Sequence, residues 1–546
     1  MFKITDFIKY FALVLLTVTF FVSNNLTAQT QGSHNNGTVF NVLEYGALRD
    51  GKTKITDAVK KAIDAAAELG GGTIYFPAGE YLSGPIHFKS NITIYLDAGS
   101  VLRFSDDYED YLPFVKSRWE GTVGMNFSPQ FYAYRVENIA IIGHGLIDGQ
   151  GKKWWNYSNE IKKIKSEKKN IPWSKYQQMH KEMNQEVKAP DTYQWQEGHF
   201  MRPPMFQAFE CKNILIEGVS IQNPPFWTIN PEFCENVTVT GVTIINPADS
   251  PNTDGINPSS CSFVHISNCH ISVGDDCITI KSGRDEDGRM WGKACQNITI
   301  TNCTMLAGHG GVVIGSEMSG DVRKITISNC VFDGTDRGIR IKTMRGRGGV
   351  VEEIRVDNII MKNIQTEAIM LTTEYKVTKE ELPSQRTPIF RNIHFSNITA
   401  TEVKSAGSLL GLNEMWIDDV TFNDINISAE TGFGIQNSKN IGFHDVTINV
   451  QKGPAIFVSK ALNLELDGIK TLTPIQNEAL IELKNVENTY IYNCNPLPGT
   501  DKFLVVDGKE TKFIVLGSNN LIHVKEQIIK GKDLKNDAVI IQSMNH

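Results

Sequence analysis

Five short segments between residues 252 and 375 carry side chains able to do acid–base chemistry. They are Asn252-Thr253-Asp254-Gly255, Gly274-Asp275-Asp276-Cys277, Gly308-His309-Gly310-Gly311, Arg340-Ile341-Lys342 and Tyr375. Hydrolysis of a glycosidic bond takes one carboxylic acid to protonate the departing oxygen and one carboxylate to activate water or to attack carbon. Three aspartates in one small site suit that task. Mutual repulsion raises the proton affinity of at least one of them, and nearby cations keep the others ionised. Taken singly, each segment reads as an ordinary turn or strand, because Asp and Gly are common turn residues. What separates them from ordinary turns is their order and their intervals of 21, 34, 31 and 35 residues.

The cations around these acids point to an anionic substrate. Residues 337, 340, 342, 345 and 347 are all basic, with no acid between Arg337 and Arg347, in a chain whose net charge is −7. Lys281, Arg284 and Arg289 follow the Asp275-Asp276 pair closely. A polyuronide carries one carboxylate per ring, and arginine grips carboxylates through two parallel hydrogen bonds. The negative overall charge gives no general attraction to nucleic acid.

These segments become neighbours only if the chain is wound. From about residue 90 a phrase recurs in which a polar residue precedes alternating β-branched ones: Asn91-Ile-Thr-Ile, Asn138-Ile-Ala-Ile, Asn213-Ile-Leu-Ile, Asn236-Val-Thr-Val, Asn297-Ile-Thr-Ile, Lys324-Ile-Thr-Ile, Glu353-Ile-Arg-Val, Asn392-Ile-His-Phe and Asn440-Ile-Gly-Phe. Spacings of 23 residues (213 to 236), 27 (297 to 324) and 29 (324 to 353) mark a solenoid. Period-two alternation without helical crossovers leaves an all-β parallel β-helix. Strands of adjacent coils lie about 4.7–4.9 Å apart, which puts Asp254 beside Asp275 and Asp276.

A solenoid end exposes core and strand edges, so it needs a cover. Ile55, Val59, Ile63 and Ala66 recur at helical spacing after a possible Thr56 cap and stop at Gly70-Gly71-Gly72, which predicts a short N-terminal capping helix. Residues 105–135 and 152–205 break the rhythm and are expected to be loop insertions on a single catalytic domain spanning 29–546. The second holds Trp154, Trp155, Tyr157, Trp173, Tyr176, Tyr193 and Trp195, which could stack on sugar rings or simply pack the loop.

Residues 1–28 read as a signal peptide, with Lys3 and Lys9, an apolar run from Phe11 to Val22, and a Leu26-Thr27-Ala28 exit. Export to the periplasm or beyond is therefore expected, with no membrane insertion once the signal is removed. None of the nine cysteines has a metal-binding spacing, and Asn268-Cys269, Asn302-Cys303 and Asn329-Cys330 recur in the repeat, so stacked buried thiols are expected. No phosphate-cradling glycine loop precedes a helix, and the acids are engaged in catalysis, so neither metal nor organic cofactor is expected. Oligomeric state is not legible.

The chain resembles the polygalacturonases, the family 28 glycoside hydrolases, whose signature of Asn-Thr-Asp, Gly/Gln-Asp-Asp, Gly-His-Gly and Arg-Ile-Lys is present without substitution. The similarity extends from about Phe40 to about Val450. It implies a right-handed parallel β-helix and hydrolysis of α-1,4-galacturonosyl linkages with inversion. It further implies Asp275 as general acid, Asp254 and Asp276 as the pair that positions and deprotonates water, and His309 as the residue tuning the acid. Arg340, Lys342 and Tyr375 would bind substrate. The stretch from Gly283 to Arg289 resembles that of exo-acting bacterial members, with Arg284 as a further substrate contact. Most inverting carboxyl pairs stand about 6.5–9.5 Å apart, whereas stacked coils permit a shorter gap, so stereochemistry does not follow from spacing. Rhamnogalacturonan or xylogalacturonan hydrolysis, polyuronide elimination by a β-helix lyase, and simple glycan binding are the competing readings.

Overall fold

Alternation decides which way each side chain points. In the phrase starting at Asn297, Ile298 and Ile300 are 1% and 0% exposed while Thr299 faces solvent. The computed structural model describes residues 38–169, 174–187, 202–535 and 537–542, so the expected signal segment lies outside the described residues. Within them the chain is a parallel β-helix. One sheet begins with Val39–Asn41 and continues through Gly72–Phe76, Ile92–Leu96, Glu137–Gly143, Lys212–Glu217 and Glu235–Thr240, each paired in parallel with the next. A second begins at Asp50–Lys54 and passes through Gly79–Ser83, Ser100–Phe104 and Leu146–Asp148. The third, which carries the chemistry, joins Ile86–His87, Phe131–Tyr134 and Phe206–Phe209. It continues through parallel bridges linking Phe206, Ile229, Ile256 and Ile278, then through Val312, Ile339 and Ile369. Pairing continues to Glu526–Lys530 and Val539–Gln542, so the described residues beyond 500 extend the stack.

The polar residue that opens each repeat phrase has a backbone reason. All nine openers, from Asn91 to Asn440, sit in the left-handed region with φ between 55° and 63°. Asparagine tolerates that conformation better than other side chains do. Its amide also joins coils: Asn138 donates to Asn91 at 2.7 Å, Asn213 to Asn138 at 2.8 Å and Asn236 to Asn213 at 2.8 Å. All nine cysteines are buried free thiols, with Cys211, Cys234, Cys261 and Cys295 on successive coils of the first sheet.

The expected helix spans Thr56–Glu68 and buries Ala58, Val59, Ala62, Ile63 and Ala66 in the core. Thr56 is not its cap. Ile55 holds that position without a side-chain bond, because the Thr56 hydroxyl accepts instead from the Gly84 N–H at 2.7 Å. The insertions are more ordered than loops. The first contains an antiparallel hairpin, Val115–Trp119 with Thr122–Asn126, and ends early because Phe131–Tyr134 is already a solenoid strand. The second forms helices Lys152–Ser166 and Lys175–Met183. Trp154 is fully buried against Tyr111, Phe114 and Phe127, with Tyr157 and Tyr176 packed on the same cluster. Trp155 donates to the Pro224 carbonyl at 2.9 Å. These aromatics build the insertion; Trp173, Tyr193 and Trp195 lie outside the described residues.

Candidate active site

Parallel register explains why the acids meet. Ile256 pairs with Ile278, so Asp254 and Asp276, each two residues earlier, occupy equivalent places on adjacent coils. The coils approach closely because the motif glycines have no side chain. A Cβ on Gly255 would stand 2.4 Å from the Cys277 carbonyl oxygen, and one on Gly308, at φ +144°, 2.5 Å from that of Asp275. Asp254, Asp275 and Asp276 consequently each present an oxygen within 4.8 Å of the others. Asp254 and Asp276 are 2% and 1% exposed.

Each acid has different partners. Asp254 Oδ2 accepts from Asn257 at 3.0 Å and from Thr279 at 3.4 Å, while its Oδ1 is buried without a protein partner. Asp276 Oδ2 accepts from Lys342 at 2.8 Å, Arg340 Nη1 stands 3.7 Å from its Oδ1, and that oxygen too lacks a hydrogen bond. Asp275 Oδ1 accepts from its neighbour's N–H at 2.9 Å and faces His309 Nδ1 at 3.2 Å. Burial pushes Asp254 far above the usual carboxylate range, and the negative charges of Asp275 and Asp276 add to that. Burial also pushes Asp275 up, but the hydrogen bond from His309 and the charges of His309, Lys342 and Lys281 outweigh it and leave Asp275 lowered. In the substrate-free site the raised proton affinity falls on Asp254 and not on Asp275, the residue the resemblance implies as general acid. The titratable proton beside Asp275 belongs to His309, which the same hydrogen bond raises above the ordinary histidine value.

The His309–Asp275 charge pair sets a pH window. It is complete below the ordinary histidine range and disappears as pH rises through the elevated His309 value; at the acid end it is lost as pH falls through the lowered Asp275 value. A rate profile should accordingly fall on the alkaline side with a midpoint above about 6.5, and His309→Asn should abolish that limb. An unchanged alkaline limb in the variant would separate His309 from the acid.

Of the five basic residues in 337–347, two face the carboxylates. Arg340 and Lys342 both stand 5.5 Å from the ring centre of Tyr375, which is 39% exposed beside them. The other three are neutralised by acids from distant sequence: Arg337 by Glu367 at 2.9 Å, Arg345 by Glu414 at 2.5 Å and Arg347 by Asp285 at 2.5 Å. Arg284 is likewise paired, to Glu120 at 3.0 Å and Asp285 at 3.7 Å, which makes it an anchor between loops rather than the open carboxylate receptor expected. Arg289 donates to the carbonyls of Gly346 and Arg347. Lys281 is held by Glu317 at 3.0 Å, yet its charge acts on Asp254 and Asp276 as well.

Two supporting residues had no local signal in the sequence. Arg202 is buried and donates to the carbonyls of Pro225 and Pro251 and, at 2.7 Å, to Asn252 Oδ1, fixing the loop that leads into Asp254. Arg118, 0% exposed, ties the hairpin to Glu232 at 3.2 Å and to Ser259 and Ser260. Through it, and through the Trp119 bond to Arg202 and the Val123 bond to Asp287, the hairpin packs along the third sheet from the coil of Glu232 to the coil that carries Asp275 and Asp276.

Comparison with known proteins agrees with this geometry. The model of glycosyl hydrolases family 28 matches residues 194–445, and a rhamnogalacturonase A/epimerase, pectate lyase-like model matches residues 39–166. A hyperthermoactive exopolygalacturonase from Thermotoga maritima is 34% identical, with 76% of this chain and 92% of that one covered and a TM-score of 0.64. A family 28 exopolygalacturonase from Yersinia enterocolitica shares the fold at 22% identity, covering 81% and 79% of the two chains with a TM-score of 0.66. A probable polygalacturonase from Vitis vinifera is 29% identical over 384 residues, 68% of this chain and 70% of its own. With its motifs on adjacent coils and this similarity along most of its length, the chain belongs to the glycosyl hydrolases of family 28.

Proposed function

We propose that this glycoside hydrolase is an exo-acting polygalacturonase that removes the terminal galacturonate of homogalacturonan. The observation that carries the reading is the third sheet's cluster of three aspartates with Arg340, Lys342 and Tyr375 on the next coils, closed on one side by the hairpin. Arg340 and Lys342 would receive the carboxylate of a ring beside the scissile bond, with Tyr375 under it. Asp276, paired to both cations, would accept a proton from water, and Asp254 would help hold that water through its unpartnered Oδ1. Moving the Nδ1 proton of His309 across the 3.2 Å contact would convert Asp275 to the acid that protonates the leaving oxygen. The reading needs no metal, because Lys342 and Lys281 already supply counter-charge to the carboxylates.

Two features favour hydrolysis of the terminal linkage with inversion. The hairpin and its Glu120–Arg284 contact wall the groove beside the coils that carry the acids, which favours a chain end over a continuous polymer there. The carboxylate oxygens are closer together than in most inverting pairs. Even so, Asp276 is bound to Lys342 and Asp254 lies on the buried floor, which leaves them better placed to hold water than to attack carbon. We further propose export, which the basic start and apolar run of residues 1–28 support and which a polymeric substrate requires. Among the described residues no helix is long and apolar enough to cross a membrane.

Chromatography of polygalacturonate digests over time tests the reading. Monogalacturonate alone from the first time points is expected. Early release of a ladder of oligomers would overturn exo action, and release from rhamnogalacturonan or xylogalacturonan in preference to homogalacturonan would overturn the substrate.

A further inference from the structure

The row of outward positions that contains Arg340 does not stop at the active site. Parallel register carries it through Met370, Ser408 and Gly434 to Phe457, one position per coil. Four coils at about 4.8 Å put Phe457 roughly 19 Å beyond Arg340 along the same face. The floor between them is low. A Cβ on Gly434 would meet nothing within 4 Å, and the Phe457 ring is 40% exposed beyond it, beside a hollow lined by Gly432, Lys452 and Pro454. A larger hollow of about 930 Å³ lies where the turns of successive coils present Asn363, Gln365, Thr401 and Gln451 together with Glu402 and Glu430. These turns stack on the catalytic one: Thr366 donates to the Asp336 carbonyl and Ser405 to that of Thr366, while Asp336 donates to that of Gly308.

We propose that this stretch is a distal subsite for the part of the polyuronide chain that leaves with the polymer, with Phe457 as the platform for one of its rings. The inference rests on the exo-hydrolase reading above. With the terminal ring at the aspartates and the next carboxylate on Arg340 and Lys342, two coils further on, the remainder of the polymer continues over the later coils. An exposed aromatic face suits the apolar face of a pyranose ring, amides and hydroxyls suit its hydroxyl groups, and Lys452, 4.0 Å from Glu430 but 70% exposed in its side chain, keeps donors for a uronate carboxylate. Because the platform stands several ring lengths from the scissile bond, short oligomers would never reach it.

The test compares KM for digalacturonate with KM for polygalacturonate in Phe457→Ala and, separately, in Gly434→Leu, which fills the open floor. Each variant should raise KM for the polymer roughly 3- to 10-fold, as expected for loss of one stacked ring, while kcat and the dimer's KM stay unchanged. An unaltered polymer-to-dimer ratio in both variants would overturn the subsite, as would equal loss on both substrates. A wild-type protein inactive on the dimer and the polymer alike would instead sink the exo-hydrolase reading, and this inference with it. Calorimetric titration of polygalacturonate into Asp275→Asn, with and without Phe457→Ala, gives the same comparison independently of turnover.

Discussion

Asp275→Asn is expected to lower kcat on polygalacturonate by about 10²- to 10⁴-fold, the range usual for loss of a positioned proton donor. The amide keeps the size of the carboxyl group and its carbonyl oxygen can still accept from His309, whose Nδ1 lies 3.2 Å from Oδ1 in the native site. What it cannot do is deliver a proton to the departing oxygen. Substrate affinity should therefore persist, because Arg340, Lys342 and Tyr375 are untouched. Steady-state assay of new reducing ends gives kcat, and titration of the inactive variant gives affinity. Full turnover would remove Asp275 from the mechanism and leave Asp254, whose proton affinity burial raises, as the candidate acid.

Lys342→Met is expected to cost about 10²- to 10³-fold in kcat/KM, together with a loss of stability. The native ammonium contacts Asp276 Oδ2 at 2.8 Å with side-chain exposures of 9% and 2%. Removing it leaves a buried carboxylate whose remaining ion-pair partner, Arg340, stands 3.7 Å away. Breaking a buried pair from one side costs about 3–5 kcal/mol, and the residual Arg340 contact puts this case toward the lower end. The substrate carboxylate loses a receptor at the same time. Lys342→Arg keeps the charge but not the compact ammonium, so it should recover stability more fully than rate. Equal activity in all three proteins, measured alongside thermal unfolding, would show that Lys342 acts on neither the base nor the substrate.

What could be read from the sequence follows from what is periodic. The repeat phrases place Ile298 and Ile300 inside and Asn297 at a left-handed corner, a local rule that recurs coil after coil. The same periodicity brings Asp254 to the level of Asp276 without knowledge of any side-chain contact. Charge pairing is not periodic, so neighbouring sequence does not reveal it. Five clustered cations look like one substrate patch until Glu367, Glu414 and Asp285 arrive from other coils to neutralise three of them. Arg284 pairs likewise with Glu120, 164 residues away in the sequence. The insertions concealed their order because hairpin and helices are held by contacts to the solenoid. Arg118 and Trp119 find partners at Ser259, Ser260 and Arg202, none of them near in sequence. Helix Lys152–Ser166 did leave a trace, with Trp154, Ser158 and Ile161 buried at helical spacing, but its lysines masked it.

The central claim is that winding assembles a carboxylate site that adds water across a galacturonosyl bond. The most direct measurement follows polygalacturonate digestion by the full-length protein with two simultaneous readouts, new reducing ends and ultraviolet absorbance of an unsaturated sugar end. Reducing ends accumulating without any absorbance are predicted, since water is the second reactant. Absorbance rising in step with chain cleavage would mean elimination, and would contradict the roles given to Asp254, Asp275 and Asp276.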